Sequence, residues 1–251
     1  MTNKLTTIFL PGLLCDAAVW PAQRAAFEDR SDCRIADYGM LDSLPGMAAS
    51  VLEDAPREFL LVAHSMGGRV ALEMLRLAQD RIKGLALLDT GYQARDPGAA
   101  GERETNSRMA LVALARQSGM RAMGAQWARG MVHPDRLGDA PLMETILDMI
   151  ERKSLSVFEA QVRALLARPD AGPLLPLIRC PTLLLCGRED TWSPPARHEE
   201  MARLIPGARL VLVDDCGHMS TLERPGEVNA ALLAWLAQIA GCQPSQRQDH
   251  R

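Results

Sequence analysis

The chain has 251 residues, 47% of them hydrophobic, with 28 Lys and Arg against 31 Asp and Glu. A formal charge of −3 offers no basic footprint for nucleic acid, and no apolar run approaches the roughly 20 residues of a membrane span. The length suits one α/β domain, and with only two Tyr, four Phe and four Trp its packing falls to aliphatic side chains and 13 Met.

Near the N-terminus, Leu5-Thr-Thr-Ile-Phe-Leu10 is mostly apolar and follows a single Lys. It is too short for the core of a secretory signal, so a cytoplasmic protein is expected. Thr7–Leu10 reads as a buried strand that ends at the turn former Pro11-Gly12. Pro21 to Arg30 suits a short helix, Cys33 to Asp37 a short strand, and Ser43 can cap a helix from Leu44 through Leu52. Phe59–Ala63 and Gly84–Thr90 are further buried strands with a helix between them. Strand and helix therefore alternate, which predicts a mostly parallel sheet with helices on both faces.

The alternation stops after Asp89. From Gly91 to about Leu175 the pattern is helical only, near Glu102–Gln117, Arg121–Met131, Pro141–Lys153 and Val157–Ala167. It resumes with a strand over Pro181–Cys186, a helix from about Ala196 to Leu204, a strand over Ala208–Val213 and a closing helix from Pro225 to about Ala240. The last residues, 242–251, are polar and expected to be disordered. The six cysteines, Cys15, Cys33, Cys180, Cys186, Cys216 and Cys242, form no CxxC pair. Free thiols are expected, and neither zinc nor another metal.

One stretch carries chemistry. In Phe59-Leu-Leu-Val-Ala-His-Ser-Met-Gly-Gly-Arg-Val-Ala-Leu72, a strand turns into a helix with no room for a loop. Ser65 must sit at the apex in a strained conformation, with small neighbours, Ala63 and Gly67, two residues to each side. Such a turn lifts the hydroxyl clear of the backbone and aims the Met66 amide, at a helix N-terminus, at whatever Ser65 attacks. Ala63-His64-Ser65-Met66-Gly67 resembles the nucleophile motif of the α/β-hydrolase superfamily, with Ala63 where the usual pattern has Gly. The resemblance extends over about residues 4–240 and is of the single-domain kind with a helical cap.

Several expectations follow from it. In the superfamily the loop after the first strand carries a His-Gly-x-x pattern. Here Pro11 replaces the His, Gly12 is kept, and Leu13 falls on the position whose backbone amide completes an oxyanion hole with Met66. Read alone, Pro11-Gly12 is an ordinary turn. A serine nucleophile needs a base and a group to hold the base, in the order Ser, Asp, His, each at a strand end. Asp190 in Gly-Arg-Glu-Asp and His218 in Cys-Gly-His supply that order. Glu189 and Asp89 are alternative acids, and Asp89 follows an earlier strand where some superfamily members carry theirs. Asp214 and Asp215 lie too near His218 in sequence and are expected to shape its loop. Of the other histidines, His64 flanks the serine and is expected to point away, His133 lies in the insert, His198 in a helix and His250 in the tail.

The division implied is a core of residues 1–90 and 176–241 with a cap, or lid, of residues 91–175. The insert's Met residues can fill its own core, or some can line an apolar pocket with Trp127. Trp127 and Met131, with Met219 beside His218, are the candidate substrate-binding residues. The expected activity is a cofactor-free carboxylic-ester hydrolase, acting on an ester, lactone or thioester of a small to medium apolar acyl compound. A C–C hydrolase or lyase is the alternative, because Ser-Met-Gly-Gly-Arg also resembles synthase-type members, and a ligand-binding receptor is a third. The expected partner is a small-molecule substrate, with no nucleic acid and no membrane, in a monomer or homodimer. An acidic substrate would call for a buried arginine, and Arg69, Arg121, Arg129 and Arg163 are candidates.

Overall fold

The computed structural model describes residues 4–242. In chain order, β1 (Thr6–Leu10), α1 (Pro21–Phe27), β2 (Asp32–Ile35), α2 (Leu44–Asp54), β3 (Phe59–His64), α3 (Met66–Ala78) and β4 (Ile82–Leu88) form the first part. Four helices follow without a strand: α4 (Gly98–Ser118), α5 (Met120–Trp127), α6 (Ala140–Glu151) and α7 (Leu155–Leu166). Then come β5 (Thr182–Gly187), α8 (Pro195–Leu204), β6 (Arg209–Val213), α9 (Ser220–Glu223) and α10 (Pro225–Cys242). Every expected element is present to within a few residues. The short helix α9 and several 3₁₀ turns are additions. Residues 243–251 of the expected tail, with His250, lie outside the described residues.

The six strands make one parallel sheet in the order β2-β1-β3-β4-β5-β6. All residues of β1, β3 and β5 are buried, as strands covered on both faces must be, whereas β2 and β6 form the half-exposed edges. Helices α2 and α3 pack together over β1, β3 and β4, while α1 and α10 pair and cover the sheet elsewhere. The strand order reverses between β1 and β3, so the crevice beyond their C-terminal ends is the topological switch point of the sheet.

Local chemistry sets the helix starts. Ser43 accepts a hydrogen bond from the Gly46 amide at 3.2 Å, Asp139 from Leu142 at 3.2 Å and Ser154 from Val157 at 3.2 Å. The four inserted helices pack on one another and are tied to the rest by specific contacts. Arg152 forks onto Asp16 with two bonds of 3.1 Å, and Arg163 meets Asp42 at 3.3 Å. Buried Gln161 of α7 accepts the Leu14 amide at 2.8 Å. No helix among the described residues is long and apolar enough to cross a membrane.

Candidate active site

Ser65 occupies the turn between β3 and α3 with φ 52° and ψ −117°, a conformation that a non-glycine residue adopts only under constraint. The constraint is visible. The Ser65 amide donates to Leu88 O at 2.9 Å, and its carbonyl accepts from Gly68 N at 3.0 Å and from the Thr90 hydroxyl at 2.6 Å. Thr90 is itself held by His198, whose Nε2 accepts the Thr90 amide at 3.1 Å. Burial pushes His198 down to about 4, which keeps its ring neutral and Nε2 free to accept. The strain of the apex is thus fixed from β4 and α8, neither of them next to Ser65 in sequence.

His218 and Asp190 arrive from the last two strands. The Ser65 hydroxyl donates to His218 Nε2 at 2.8 Å, and His218 Nδ1 donates to Asp190 Oδ2 at 2.8 Å. The other Asp190 oxygen accepts the amides of Trp192 at 2.8 Å and Ser193 at 2.9 Å, which orients the carboxylate. Burial works against a charged His218 ring, but the Asp190 charge and hydrogen bond outweigh it and raise the imidazolium above its ordinary range. Burial likewise opposes the Asp190 carboxylate, yet His218 and the two amides bring it below its usual value.

The loop carrying His218 must reach back from the sheet edge, and its backbone is fastened at each step. The His218 amide donates to Met131 O at 2.7 Å. Buried Glu223 accepts the amides of Gly217 at 3.1 Å, Met219 at 3.0 Å and His133 at 2.7 Å. Glu189, one of the alternative acids, accepts the Cys216 amide at 2.9 Å and so holds the loop, not the imidazole. Asp214 and Asp215 pair with Arg188 and Arg224 at the surface, where loop-shaping residues belong.

Asp89, the other alternative acid, is fully buried and makes no hydrogen bond to His218. It accepts the Gly187 amide at 3.0 Å and pairs with the Ser220 hydroxyl. Burial and the nearby Asp190 charge push its carboxyl up to about 8. His64 differs in part from its expected role. Its ring does not serve Ser65, but it packs 5.2 Å from the His218 ring, and its Nε2 donates to His218 O at 2.8 Å. Burial and the His218 charge hold it neutral, at about 3. Asp89, Cys186 and Asp190 lie close enough to suggest a metal site, but both carboxylates are already committed to Gly187, Ser220, His218 and the Trp192–Ser193 amides. Burial raises the Cys186 thiol, which disfavours the thiolate a metal needs.

Ser65 and His218 open into a cavity of about 410 Å³. Leu13 and Met66 line it beside Ser65, and neither amide has a hydrogen-bond acceptor among the described residues. Trp127, Met131 and Met219 all line it. Trp192 completes an aromatic wall, stacked on Trp127 with ring centroids 5.3 Å apart and lying 5.0 Å from the His218 ring. Of the four candidate arginines, Arg69 alone reaches the cavity. Arg121 is half-exposed and paired with Glu144, Asp148 and Glu151, Arg163 is exposed beside Asp42, and Arg129 is exposed. Arg108, Arg168 and Arg197 line the cavity without having been picked out from sequence.

A family model described as "Alpha/beta hydrolase family" matches residues 8–231. The chain belongs to the alpha/beta hydrolase family. The curated pimeloyl-[acyl-carrier protein] methyl ester esterase of Neisseria meningitidis serogroup B is 27% identical over 238 residues, covering 86% of this chain and 81% of that protein. The polyketide synthase ThaQ of Burkholderia thailandensis is 34% identical over 97 residues, which are 39% of this chain but only 4% of that much longer protein. Among solved structures, a thermophilic esterase from Thermogutta terrifontis superposes with a TM-score of 0.82 at 27% identity, covering 94% of this chain and 90% of its own. The fold and family of this alpha/beta hydrolase are thereby fixed, and its similar proteins include esterases.

Proposed function

We propose that this alpha/beta hydrolase is a serine carboxylic-ester hydrolase. The observation that carries the reading is the unbroken line of two 2.8 Å hydrogen bonds from Ser65 Oγ through His218 to Asp190, opening on the cavity. A serine hydroxyl is a poor nucleophile until a base takes its proton, and His218 Nε2 is placed to take it. Ser65 Oγ attacks the ester carbonyl. Negative charge grows on the carbonyl oxygen, where the Met66 and Leu13 amides stabilise it, and the positive end of α3 adds to the field. His218 then gives its proton to the leaving alcohol, and the acyl group remains on Ser65. A water, deprotonated by the same nitrogen, releases the acid and restores the serine. Asp190 fixes the Nδ1–H tautomer and stabilises the imidazolium, the role for which its carboxylate is held ionised.

In this reading residues 91–175 act as a cap. Their helices supply Trp127 and Met131 to the cavity wall, and Gln161 holds the loop that carries the Leu13 amide. The relatives named as esterases agree with ester hydrolysis. The test is to label the protein with a fluorophosphonate beside Ser65→Ala, then assay p-nitrophenyl esters of increasing acyl length. Stoichiometric labelling of Ser65 with a burst of nitrophenol is the expected result. Absence of both labelling and turnover above Ser65→Ala would remove the reading.

A further inference from the structure

Away from the triad, the cavity wall is dense in guanidinium groups: Arg69 of α3, Arg108 of α4, Arg168 beyond α7 and Arg197 of α8. Two carboxylates face the same space, Glu104 and Asp96. Glu104 is fully engaged. Arg168 grips it with two bonds of 2.7 and 2.8 Å, and Arg108 adds a third at 2.9 Å. Burial opposes its ionisation, yet the two arginines hold its carboxyl down at about 2. Asp96 is exposed and makes no ion pair among the described residues.

Arg69 and Arg197 have no carboxylate partner among the described residues. Arg69 Nη1 donates to Gln93 O at 2.8 Å, and Arg197 Nη1 donates to Trp192 O at 3.2 Å. Both converge on Gly91, where an added Cβ would lie 3.0 Å from Arg69 Nη2 and 3.1 Å from Arg197 Nη1. Any side chain there would collide with both arginines, Arg197 Cδ lying nearest at 2.8 Å, so glycine is what lets the two guanidinium groups come together. Helix electrostatics makes the arrangement costlier still. Arg69 lies in the first turns of α3 and Arg197 in the first turn of α8, where the positive helix end disfavours a cation. Burial and the surrounding arginines depress Arg69 to about 9, with Glu104 offsetting only part of the effect. Arg121 also stands in the first turn of a helix, but it is paired with three carboxylates, whereas Arg69 and Arg197 have none. A cavity with four cations and two anions, the two unpaired cations side by side, is complementary to an anion.

We propose that Arg69 and Arg197 form a subsite for a carboxylate, so that the substrate is a small ester bearing a free carboxylate remote from the scissile bond. The proposal rests on the ester-hydrolase reading and adds a substrate class to it. A carboxylate between the two guanidiniums would anchor one end of the acyl chain while Ser65 attacks the other, and a planar fork on each side fits its two oxygens.

The test compares monomethyl esters of the four- to eight-carbon α,ω-diacids with methyl esters of the monoacids of equal length, by methanol release. The wild-type protein is expected to have a higher kcat/KM for the half-ester at one preferred length. The ratio of half-ester to neutral-ester kcat/KM should fall about ten-fold or more in Arg69→Gln and in Arg197→Gln, through KM. Arg121→Gln, on the far surface network, should leave the ratio as it is. A neutral-ester preference in the wild type, or a ratio that neither substitution changes in folded protein, would overturn the proposal. Calorimetric binding of adipate to Ser65→Ala separates the two readings. Adipate binding that Arg197→Gln weakens supports the subsite even if fluorophosphonate labelling fails. Labelling without arginine-dependent adipate binding would retain the hydrolase and remove the subsite.

Discussion

Gly67→Ala tests whether the nucleophile turn is pressed against the end of β1. A Cβ at this position would lie 2.5 Å from the Leu10 carbonyl carbon and 2.8 Å from Pro11 O, with the Leu10 oxygen nearer still. Carbon–carbon contacts settle at about 3.5–4.0 Å, so the first turn of α3 must retreat from β1 by about 1 Å. The obstacle is backbone on a fully buried strand and not a flexible side chain, so no rotamer change relieves it. Overpacking of this kind costs about 3 kcal/mol, at the upper end of its usual range. For a chain of this size that corresponds to a Tm lower by roughly 6–12 °C. The same retreat separates the Met66 amide from Leu13, and a displacement of about 1 Å in catalytic geometry costs about 100-fold in rate. Thermal unfolding followed by circular dichroism, with the rate of fluorophosphonate labelling at a temperature where both proteins are folded, measures the two effects. Gly226→Ala is the matched control. Its Cβ meets nothing within 4 Å, so it should be neutral or slightly stabilising. A Gly67→Ala protein with Tm within 2 °C of wild type and full labelling rate would refute the packing argument.

Three further predictions concern charge and hydrogen bonding around the triad. Asp190→Asn removes the charge that raises His218, so the acidic limb of kcat/KM should move to lower pH while the plateau falls about 10³-fold or more. Glu189→Gln, which keeps an acceptor for Cys216 N, should lose less than ten-fold, and the opposite ranking would make Glu189 the acid. Asp89 binds a proton in the folded protein up to about pH 8 but only to about 3.9 when unfolded. Between those values the native state holds the extra proton, so this group's contribution to stability falls as pH rises. Asp89→Asn keeps a donor for Ser220 and an acceptor for Gly187, and should therefore be more stable relative to wild type at pH 8.5 than at pH 5 in urea titrations. Parallel profiles would refute this. Gln161→Leu strands the buried Leu14 amide, at a cost of about 1–3 kcal/mol. It should also lower kcat more than it raises KM, by about ten-fold, and an unaltered kcat would show that the loop needs no tether.

The sequence disclosed what depends on short-range chemistry. Ser65 stands between an all-apolar strand and an amphipathic helix, and a turn without a loop leaves its hydroxyl one place to go. Asp190 and His218 follow strands, and a parallel sheet delivers strand ends to one edge whatever lies between. The rest depends on side chains meeting across elements. Gln161 and Leu14 are 147 residues apart, and nothing near either marks the pair. Glu223 looks like any helix-start acid until the His218 loop folds back over it. Arg108 and Arg197 sit on separate helices and Arg168 just beyond a third, and arginines so placed usually face water. Only the cavity distinguishes them from Arg121, which faces solvent and three carboxylates. Position in the first turns of a helix does not single out Arg69 and Arg197 either, because Arg121 stands in the first turn of α5.

The row of rings from Trp127 through Trp192 to His218 has a photophysical consequence. An excited indole gives up an electron to a neighbouring imidazolium but not to a neutral imidazole. Emission from Trp192 should therefore dim as His218 takes up its proton, reporting the charge on that ring without any substrate. The near-parallel indoles, 18° apart, couple their transitions, and that exciton signal persists only while the helix bearing Trp127 stays seated. Trp235 is buried elsewhere, whereas Trp20 packs edge-on 6.3 Å from the His64 ring. The protein thus carries two native optical channels, one for a proton and one for a helix.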